Sequence, residues 1–226
     1  MENVNIIING MPLSVPANYT ILEAARLAGI EIPTLCHMKG RNEIGACRIC
    51  VVEATGARGL VTACVYPVTE GMEIQTNTAK VRAARKTTLE LILSTHDMNC
   101  LSCSRSTNCE LQKLCLDYGV DEGHFAGVKN HYEIDDASPI IRDNNKCILC
   151  RRCTAACENV QGISAIGEIA RGYKVHIGCA FEKSLLDAPC VGCGQCIVAC
   201  PVGALNEKSN IDEVWDAIAD EKKHVI

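Results

Sequence analysis

Short apolar runs separated by turn signals characterise the first 78 residues and predict a small unit of mixed α and β structure. Residues 4–8 and 11–15 flank Asn9-Gly10, which predicts a tight hairpin because a type I′ turn needs positive φ at both central positions. Thr20 is then a predicted N-cap, and Gly29 is a predicted left-handed residue beyond the end of the helix. Further short strands are predicted at residues 51–54, 60–64 and 72–74.

The middle of the chain has a helical period. It predicts a helix over residues 78–95 that leads into His96, and a shorter helix over residues 109–118 that ends at Gly119. Residues 119–138 are polar and acidic, which predicts a connector. The predicted apolar side of the first helix consists of Val81, Ala84, Thr88, Leu91 and Ile92, with Arg82, Arg85, Lys86 and Glu90 elsewhere.

Residues 139–208 contain an internal repeat. Its unit is Cys-x2-Cys-x2-Cys-x3-Cys, which occurs at 147–157 and again at 190–200, where Pro201 follows. A hairpin is predicted between the two copies, with strands at 163–169 and 173–177. The last segment predicts an amphipathic helix capped by Asn210, with apolar positions at Ile211, Val214, Trp215 and Ile218.

Composition narrows the class of protein. The 226 residues include 17 cysteines but only 1 Trp, 5 Tyr and 2 Phe, and the formal net charge is −5. The chain is far longer than a disulfide-stapled domain, and it shows neither a signal peptide nor an apolar run long enough to cross a membrane. We therefore expect a cytoplasmic protein whose reduced cysteines bind metal. The mild acidity argues against nucleic acid as a partner.

The repeated cysteine unit is typical of ferredoxins with two 4Fe-4S clusters, in which the fourth cysteine of each copy binds the other copy's cluster. Two zinc sites are the alternative, but they would not explain why the same spacing of four cysteines occurs twice. One departure is Cys157, which is followed by Glu158 instead of proline, so its local hydrogen bonds are expected to differ. The predicted ligands are Cys147, Cys150, Cys153 and Cys200 for one cluster, and Cys190, Cys193, Cys196 and Cys157 for the other.

A second cysteine set lies in the first 78 residues and consists of Cys36, Cys47, Cys50 and Cys64. It keeps the close pair and distant fourth cysteine of plant-type 2Fe-2S proteins but lengthens the first spacer. The preceding hairpin and helix suit a ferredoxin-like β-grasp. We therefore predict a 2Fe-2S site, with a four-cysteine zinc knuckle as the alternative.

The third set combines one histidine with three cysteines: His96, Cys100, Cys103 and Cys109. A lone histidine after an amphipathic helix is more often structural than a ligand. Here three cysteines follow it and lack a fourth partner, so we predict a 4Fe-4S cluster with His96 as a ligand. A neutral imidazole in place of a thiolate should raise the reduction potential of that cluster. The other five histidines, including His37 beside Cys36, are interpreted as structural or surface residues.

These assignments leave only Cys115 and Cys179, which we interpret as small buried apolar residues. The predicted fold class is α+β. A 2Fe-2S ferredoxin-like β-grasp (1–78) is followed by a small helical 4Fe-4S module (79–138), a bacterial ferredoxin-like domain with two 4Fe-4S clusters (139–208) and a carboxy-terminal helix and tail (209–226). The expected cofactors are one 2Fe-2S and three 4Fe-4S clusters.

The order of these sets resembles the amino-terminal electron-transfer region of FeFe hydrogenases. The match rests on the three cysteine sets, on residues 45–50 (Gly-Ala-Cys-Arg-Ile-Cys) and on Glu110-Leu111-Gln112, and it covers residues 4–208. The chain is similar also to the iron-sulfur-rich subunit of respiratory complex I and to the small diaphorase subunit of NAD-reducing hydrogenases. The resemblance implies electron transfer between a flavin-bearing NAD(H) subunit or a ferredoxin and a catalytic centre.

The resulting prediction is a non-catalytic electron-transfer subunit of an NAD(P)-linked hydrogenase, with electron bifurcation left open. The chain has no Gly-rich nucleotide loop after a strand, so flavin and NAD(P) are expected on a diaphorase partner, and hydrogen activation on a hydrogenase subunit. Three alternatives remain: the amino-terminal relay of a longer FeFe hydrogenase, a free polyferredoxin, or a subunit of an NAD-linked formate dehydrogenase.

Overall fold

The computed structural model describes residues 2–121, 124–125 and 129–225, and those ranges contain nine strands and six α-helices. The strands are β1 (Asn3–Ile8), β2 (Met11–Pro16), β3 (Val51–Ala54), β4 (Val61–Thr62), β5 (Glu73–Gln75), β6 (Ile140–Arg142), β7 (Gly167–Ile169), β8 (His176–Gly178) and β9 (Leu205–Glu207). The helices are α1 (Ile21–Leu27), α2 (Ala79–Leu93), α3 (Glu110–Tyr118), α4 (Arg152–Ala155), α5 (Gln195–Ala199) and α6 (Ile211–Ala219).

The amino-terminal part forms a five-stranded mixed sheet in the order β2-β1-β5-β3-β4, in which β1 and β5 are parallel. Strands β1 and β2 form the predicted hairpin: Ile8 pairs with Met11, and the turn residues Asn9 and Gly10 both have positive φ. Helix α1 begins at the predicted cap, where Thr20 and Glu23 form a reciprocal capping box. The predicted strands β4 and β5 are shorter than expected or displaced by one residue.

Helix α2 confirms the predicted helix, but the prediction of its apolar side was partly wrong. Leu91 is half exposed, whereas Arg85 is buried along with Val81 and Leu89. Arg85 can be buried because its guanidinium donates hydrogen bonds to the carbonyl of Val51, at 2.8 Å, and to the hydroxyl of Tyr118, at 2.9 Å. It therefore connects the sheet to α3.

Two other predictions are corrected in detail. The hairpin between the cysteine repeats is limited to β7 and β8, because residues 172–174 form a single 3-10 turn. Asn210 precedes α6 but does not cap it: its side-chain amide donates to the Glu213 carboxylate instead. In the predicted connector over 119–138, residues 122–123 and 126–128 lie outside the described ranges.

Two buried cores stabilise the described chain. One lies between the sheet and α1, and the other extends from Leu35 and Ile49 through α2 and α3 to the cysteine repeats. Among the described residues, no Phe, Tyr or Trp is part of either buried core, and Phe181 and Trp215 are exposed. Aliphatic and cysteine side chains therefore provide most of the packing. Within the described ranges, no helix has both the length and the hydrophobicity of a membrane span.

Candidate metal centres

The two cysteine repeats line two cavities. The first cavity is lined by Cys147, Cys150, Cys153 and Cys200. The second cavity is lined by Cys157, Cys190, Cys193 and Cys196. Each cavity thus combines three cysteines of one copy with the last cysteine of the other copy, which is the grouping predicted for cross-ligation.

The two repeat loops wrap around their cavities with similar backbone geometry. In the first copy Leu149 and Arg151 have positive φ, and in the second copy Gly192 and Gly194 do so at the corresponding positions. Left-handed residues turn the chain sharply, which lets thiols three residues apart face one point. Glycine adopts this conformation without steric cost, whereas the first copy does so with larger residues.

Burial raises the pKa of most of these thiols. The pKa is raised to about 12 for Cys147 and for Cys150, and to about 11 for Cys196, in each case mainly by burial. Thiolates in such surroundings need a compensating positive charge. An iron core would supply that charge, so the donor set and its buried position fit a metal cluster.

The chain continues differently after Cys157 and after Cys200, the fourth cysteines of the two copies. This difference was predicted from the absence of a proline after Cys157. After Cys200, Pro201 follows and helix α5 stops at Ala199. After Cys157 the chain continues in a wider turn of π-helix over Ala156–Val160, and the amide of Ala165 donates to the Cys157 sulfur at 3.3 Å. Cys157 therefore keeps its place in the second cavity although its loop ends differently.

The cysteines of the predicted 2Fe-2S site also converge. The sulfur atoms of Cys50 and Cys64 lie 3.3 Å apart. The thiols of Cys47 and Cys64 lie close enough to Cys36 to hold the pKa of its thiol well below the usual range. The same contacts raise the pKa of Cys47 and of Cys64 far above the usual range. Four thiols therefore meet at this point.

Backbone amides surround this site. The backbone amides of Ala46 and Cys47 act to lower the pKa of Cys36, and those of Ile49 and Leu35 act in the same direction on Cys47. Positive φ at Gly45 and Arg48 turns the chain sharply within residues 45–50, which contain three of these four amides. Backbone amides near sulfur stabilise negative charge, and an iron-sulfur cluster with thiolate ligands is negatively charged.

At the third site His96 is buried, and its Nδ1 has no hydrogen-bond partner among the described residues. Burial lowers the pKa of the imidazole and so favours its neutral form, whereas the carboxylate of Asp97 and the main-chain carbonyl of Lys146 act in the opposite direction. A neutral histidine with one unpartnered nitrogen and a backbone carbonyl near the ring fits a metal ligand. Cys109 caps helix α3, where the amide of Gln112 donates to its sulfur at 3.5 Å.

Gly203 also belongs to the third site, although the cysteine spacing gave no indication of it. A Cβ at this position would lie 2.4 Å from the sulfur of Cys103, which is far inside van der Waals contact. The segment after Cys200 therefore forms one wall of the site and leaves space for Cys103 only because it carries glycine. The glycine in Pro-Val-Gly was the available sequence signal.

Gly203→Ala is expected to displace Cys103, to reduce the iron content by one cluster and to lower the free energy of unfolding by about 1–3 kcal/mol, as overpacking does. Iron analysis and anaerobic denaturant unfolding measure the two effects. Gly167→Ala is the matched control, because a Cβ there meets nothing within 4 Å and the residue lies in the same module. Equal iron content in Gly203→Ala and wild type would contradict the prediction.

Hydrogen bonds join the first cavity to the 2Fe-2S site and to the third site. The Asn42 side-chain amide donates to the carbonyl of Cys36 at 2.8 Å and to that of Cys150 at 3.0 Å. Arg105, two residues after Cys103, donates to the carbonyl of Cys200 at 2.6 Å. The first cavity is therefore linked through its own cysteines to the 2Fe-2S site and to the site of His96.

The remaining cysteines and histidines are not among the predicted cluster ligands. Cys115 and Cys179 are buried, and burial raises the pKa of both thiols, to about 11 for Cys115. His124 pairs with Glu90, and His176 pairs with Glu182. Within the described ranges, no three His, Cys, Asp or Glu side chains are arranged to hold a single metal ion.

Family models match the chain in three consecutive segments. Residues 1–79 match a 2Fe-2S iron-sulfur cluster binding domain, and residues 85–124 match the NADH-ubiquinone oxidoreductase-G iron-sulfur binding region. Residues 138–206 match the ferredoxin-like domain of NADH-quinone oxidoreductase subunit 3. The fold and the matches together define an iron-sulfur protein with a 2Fe-2S domain followed by 4Fe-4S domains.

Individual relatives narrow this class. The NADP-reducing hydrogenase subunit HndD of Solidesulfovibrio fructosivorans is 43% identical over 232 residues, covering 100% of this chain and 40% of its own length. The NADH-ubiquinone oxidoreductase 75 kDa subunit of Reclinomonas americana is 34% identical over 206 residues, covering 91% of this chain and 29% of its own length. The chain thus spans less than half the length of these relatives.

A solved structure is similar over almost its whole length. A chain of the NAD+-reducing [NiFe]-hydrogenase in the H2-reduced state matches with a TM-score of 0.84 and 30% identity, over 91% of this chain and 88% of that one. The protein belongs to the family of iron-sulfur subunits that NAD(P)-linked hydrogenases share with complex I.

Proposed function

We propose that the chain is an electron relay with one 2Fe-2S and three 4Fe-4S clusters. Its residues hold the clusters and exclude water from them, and each cluster, when bound, accepts and releases one electron. The observation that carries this proposal is the cross-grouping of eight cysteines around the two cavities. The proposed ligands are Cys36, Cys47, Cys50 and Cys64; His96, Cys100, Cys103 and Cys109; Cys147, Cys150, Cys153 and Cys200; and Cys157, Cys190, Cys193 and Cys196.

Metal analysis of the anaerobically purified full chain tests this directly. We expect about 14 iron atoms and about 14 acid-labile sulfides per chain, in keeping with the cluster types. EPR after reduction should show one 2Fe-2S signal together with the signals of reduced 4Fe-4S clusters. Zinc without acid-labile sulfide would overturn the ligand assignment.

The first cavity is proposed as the junction of the relay. Its cysteines are joined to the 2Fe-2S site through Asn42 and to the histidine site through Arg105, and it shares the crossed repeat with the second cavity. In the second cavity Cys193 is exposed, so this end of the relay is nearest to solvent. We therefore propose that electrons from two sites meet at the first cavity and that the second cavity faces a partner.

The partners are proposed from the relatives. HndD is a subunit of an NADP-reducing hydrogenase, and the similar structure is an NAD+-reducing hydrogenase. We propose a flavin-bearing NAD(P)(H) subunit at one end of the relay, a hydrogenase centre at the other, and a ferredoxin as a further donor or acceptor. Purification of the native complex tests this proposal, since recovery of the chain without a flavoprotein or a hydrogenase centre contradicts it.

A second arrangement places the hydrogenase centre in the same polypeptide. It is favoured by HndD, which matches this chain throughout and extends well beyond the matched region. Helix α6 supports contact with a further domain, because Ile211, Val214, Trp215 and Ile218 are all at least half exposed. The mass of the native polypeptide distinguishes the two arrangements.

We also propose that the three segments 1–78, 79–138 and 139–208 are separate cluster-binding modules followed by a carboxy-terminal segment. The middle module depends on its neighbours, since Gly203 and Lys146 from the third segment adjoin Cys103. Limited proteolysis of the full chain should therefore cut the connector before it separates the histidine site from the repeats.

A further inference from the structure

A buried ion pair lies beside the first cavity. Arg142 lines this cavity, and its Nη2 lies 3.0 Å from Oδ2 of Asp135. The two side chains are only 10% and 11% exposed. Their backbones are paired as well, because each residue's amide donates to the carbonyl of the other. The guanidinium is therefore held in one position at the cavity wall.

The other polar groups of the pair are only partly satisfied. Asp135 Oδ2 also accepts a hydrogen bond from the amide of Leu185, at 2.9 Å, and Arg142 Nη1 lies 3.6 Å from the sulfur of Cys179. Arg142 Nε is buried and finds no partner in the part of the chain that the structure describes. Buried donors are nearly always hydrogen-bonded. Two other arginines also have a buried Nε without a partner among the described residues, but of the three only Arg142 lines this cavity. The cavity that Arg142 lines is also lined by four cysteines.

We propose that Arg142 hydrogen-bonds through Nε to the sulfur atoms at the first cavity and so raises the reduction potential of the cluster held there. This inference rests on the proposed function, because it requires a cluster between these four cysteines. Arg142 is a positioning and tuning residue in this role, and iron ligation stays with the cysteines. Hydrogen bonds to cluster and ligand sulfurs are an established determinant of iron-sulfur potentials.

The sign of the effect follows from charge. A cluster with four thiolate ligands is negative, and reduction adds one further negative charge. A fixed cation and an N–H donor stabilise the reduced form more than the oxidised form, whereas the nearby carboxylate of Asp135 opposes them. Removing the cation should therefore lower the potential, and neutralising the carboxylate should raise it.

Redox titration of the full chain, followed by EPR, tests this with Arg142→Gln and Asp135→Asn. We expect the same 4Fe-4S potential to fall in Arg142→Gln and to rise in Asp135→Asn, with the iron content of both variants equal to wild type. Arg142→Lys keeps the charge but loses the fixed Nε donor, so it should shift that potential down by a smaller amount. Arg171→Gln is the control, because Arg171 is exposed in the same module and carries the same charge.

Opposite shifts of the reduction potential in Arg142→Gln and Asp135→Asn distinguish tuning from a structural role, because a loss of packing would not change the sign of the shift between them. Unchanged potentials at full iron content overturn the proposal, as do equal shifts in all clusters. If Arg142→Gln does not fold, Asp135→Asn and Arg142→Lys decide by the sign of their shifts. Absence of 4Fe-4S signals from the wild-type chain would instead contradict the proposed function.

Discussion

Cys157→Ala is expected to abolish the same 4Fe-4S signal that Cys193→Ala abolishes and to leave the signal that depends on Cys147. The reason is that Cys157 belongs to the first repeat by sequence but lines the second cavity, next to Cys190, Cys193 and Cys196. Loss of one of four ligands should destabilise that cluster and remove up to about four irons. The other repeat cluster keeps all of its cysteines.

The measurement is a comparison of EPR spectra and iron content among three variants: Cys157→Ala, Cys193→Ala and Cys147→Ala. Cys115→Ala is the control, because Cys115 is also a buried cysteine but belongs to none of the four proposed ligand sets. It should retain the full iron content. If Cys157→Ala and Cys147→Ala affect one signal and Cys193→Ala another, each repeat binds its own cluster and the crossed assignment is wrong.

The cysteine groups were predictable because their spacing fixes local geometry. Thiols three residues apart on a tightly turning loop face the same point, and the positive φ values at Gly192 and Gly194 are what glycine in that loop favours. The hairpin at Asn9-Gly10 and the capping box at Thr20 were predictable for the same reason, since each depends on residues close together in sequence.

Residues that reach a site from a distant segment were not predictable. Asn42 contacts Cys150 across 108 positions, and Gly203 adjoins Cys103 only because the third segment packs against the middle one. The helical period also misplaced Arg85, because a charged residue is assigned to the solvent side unless its buried partners are known. Those partners, the Val51 carbonyl and the Tyr118 hydroxyl, lie more than 30 positions away.

His96→Cys is expected to lower the potential of one 4Fe-4S cluster while the iron content stays at that of the wild type. A thiolate adds a negative charge that the neutral imidazole lacks, so the oxidised form is favoured. Rieske centres, with two histidines, have potentials roughly 250 mV or more above those of plant-type ferredoxins, which suggests a shift on the order of 100 mV or more for one ligand. His96→Ala should lose the cluster instead.

The proposal that His96 is a cluster ligand depends on the environment of its imidazole as well as on its position near three cysteines in the sequence. His96 is buried with an unpartnered Nδ1, but His37 shares both properties and lies beside Cys36. The 2Fe-2S site already has four converging thiols, whereas the third site has only three cysteines. Substitution of His37 by alanine should therefore leave the iron content unchanged. If His37→Ala loses iron and His96→Ala does not, the fourth ligand of the third cluster lies elsewhere.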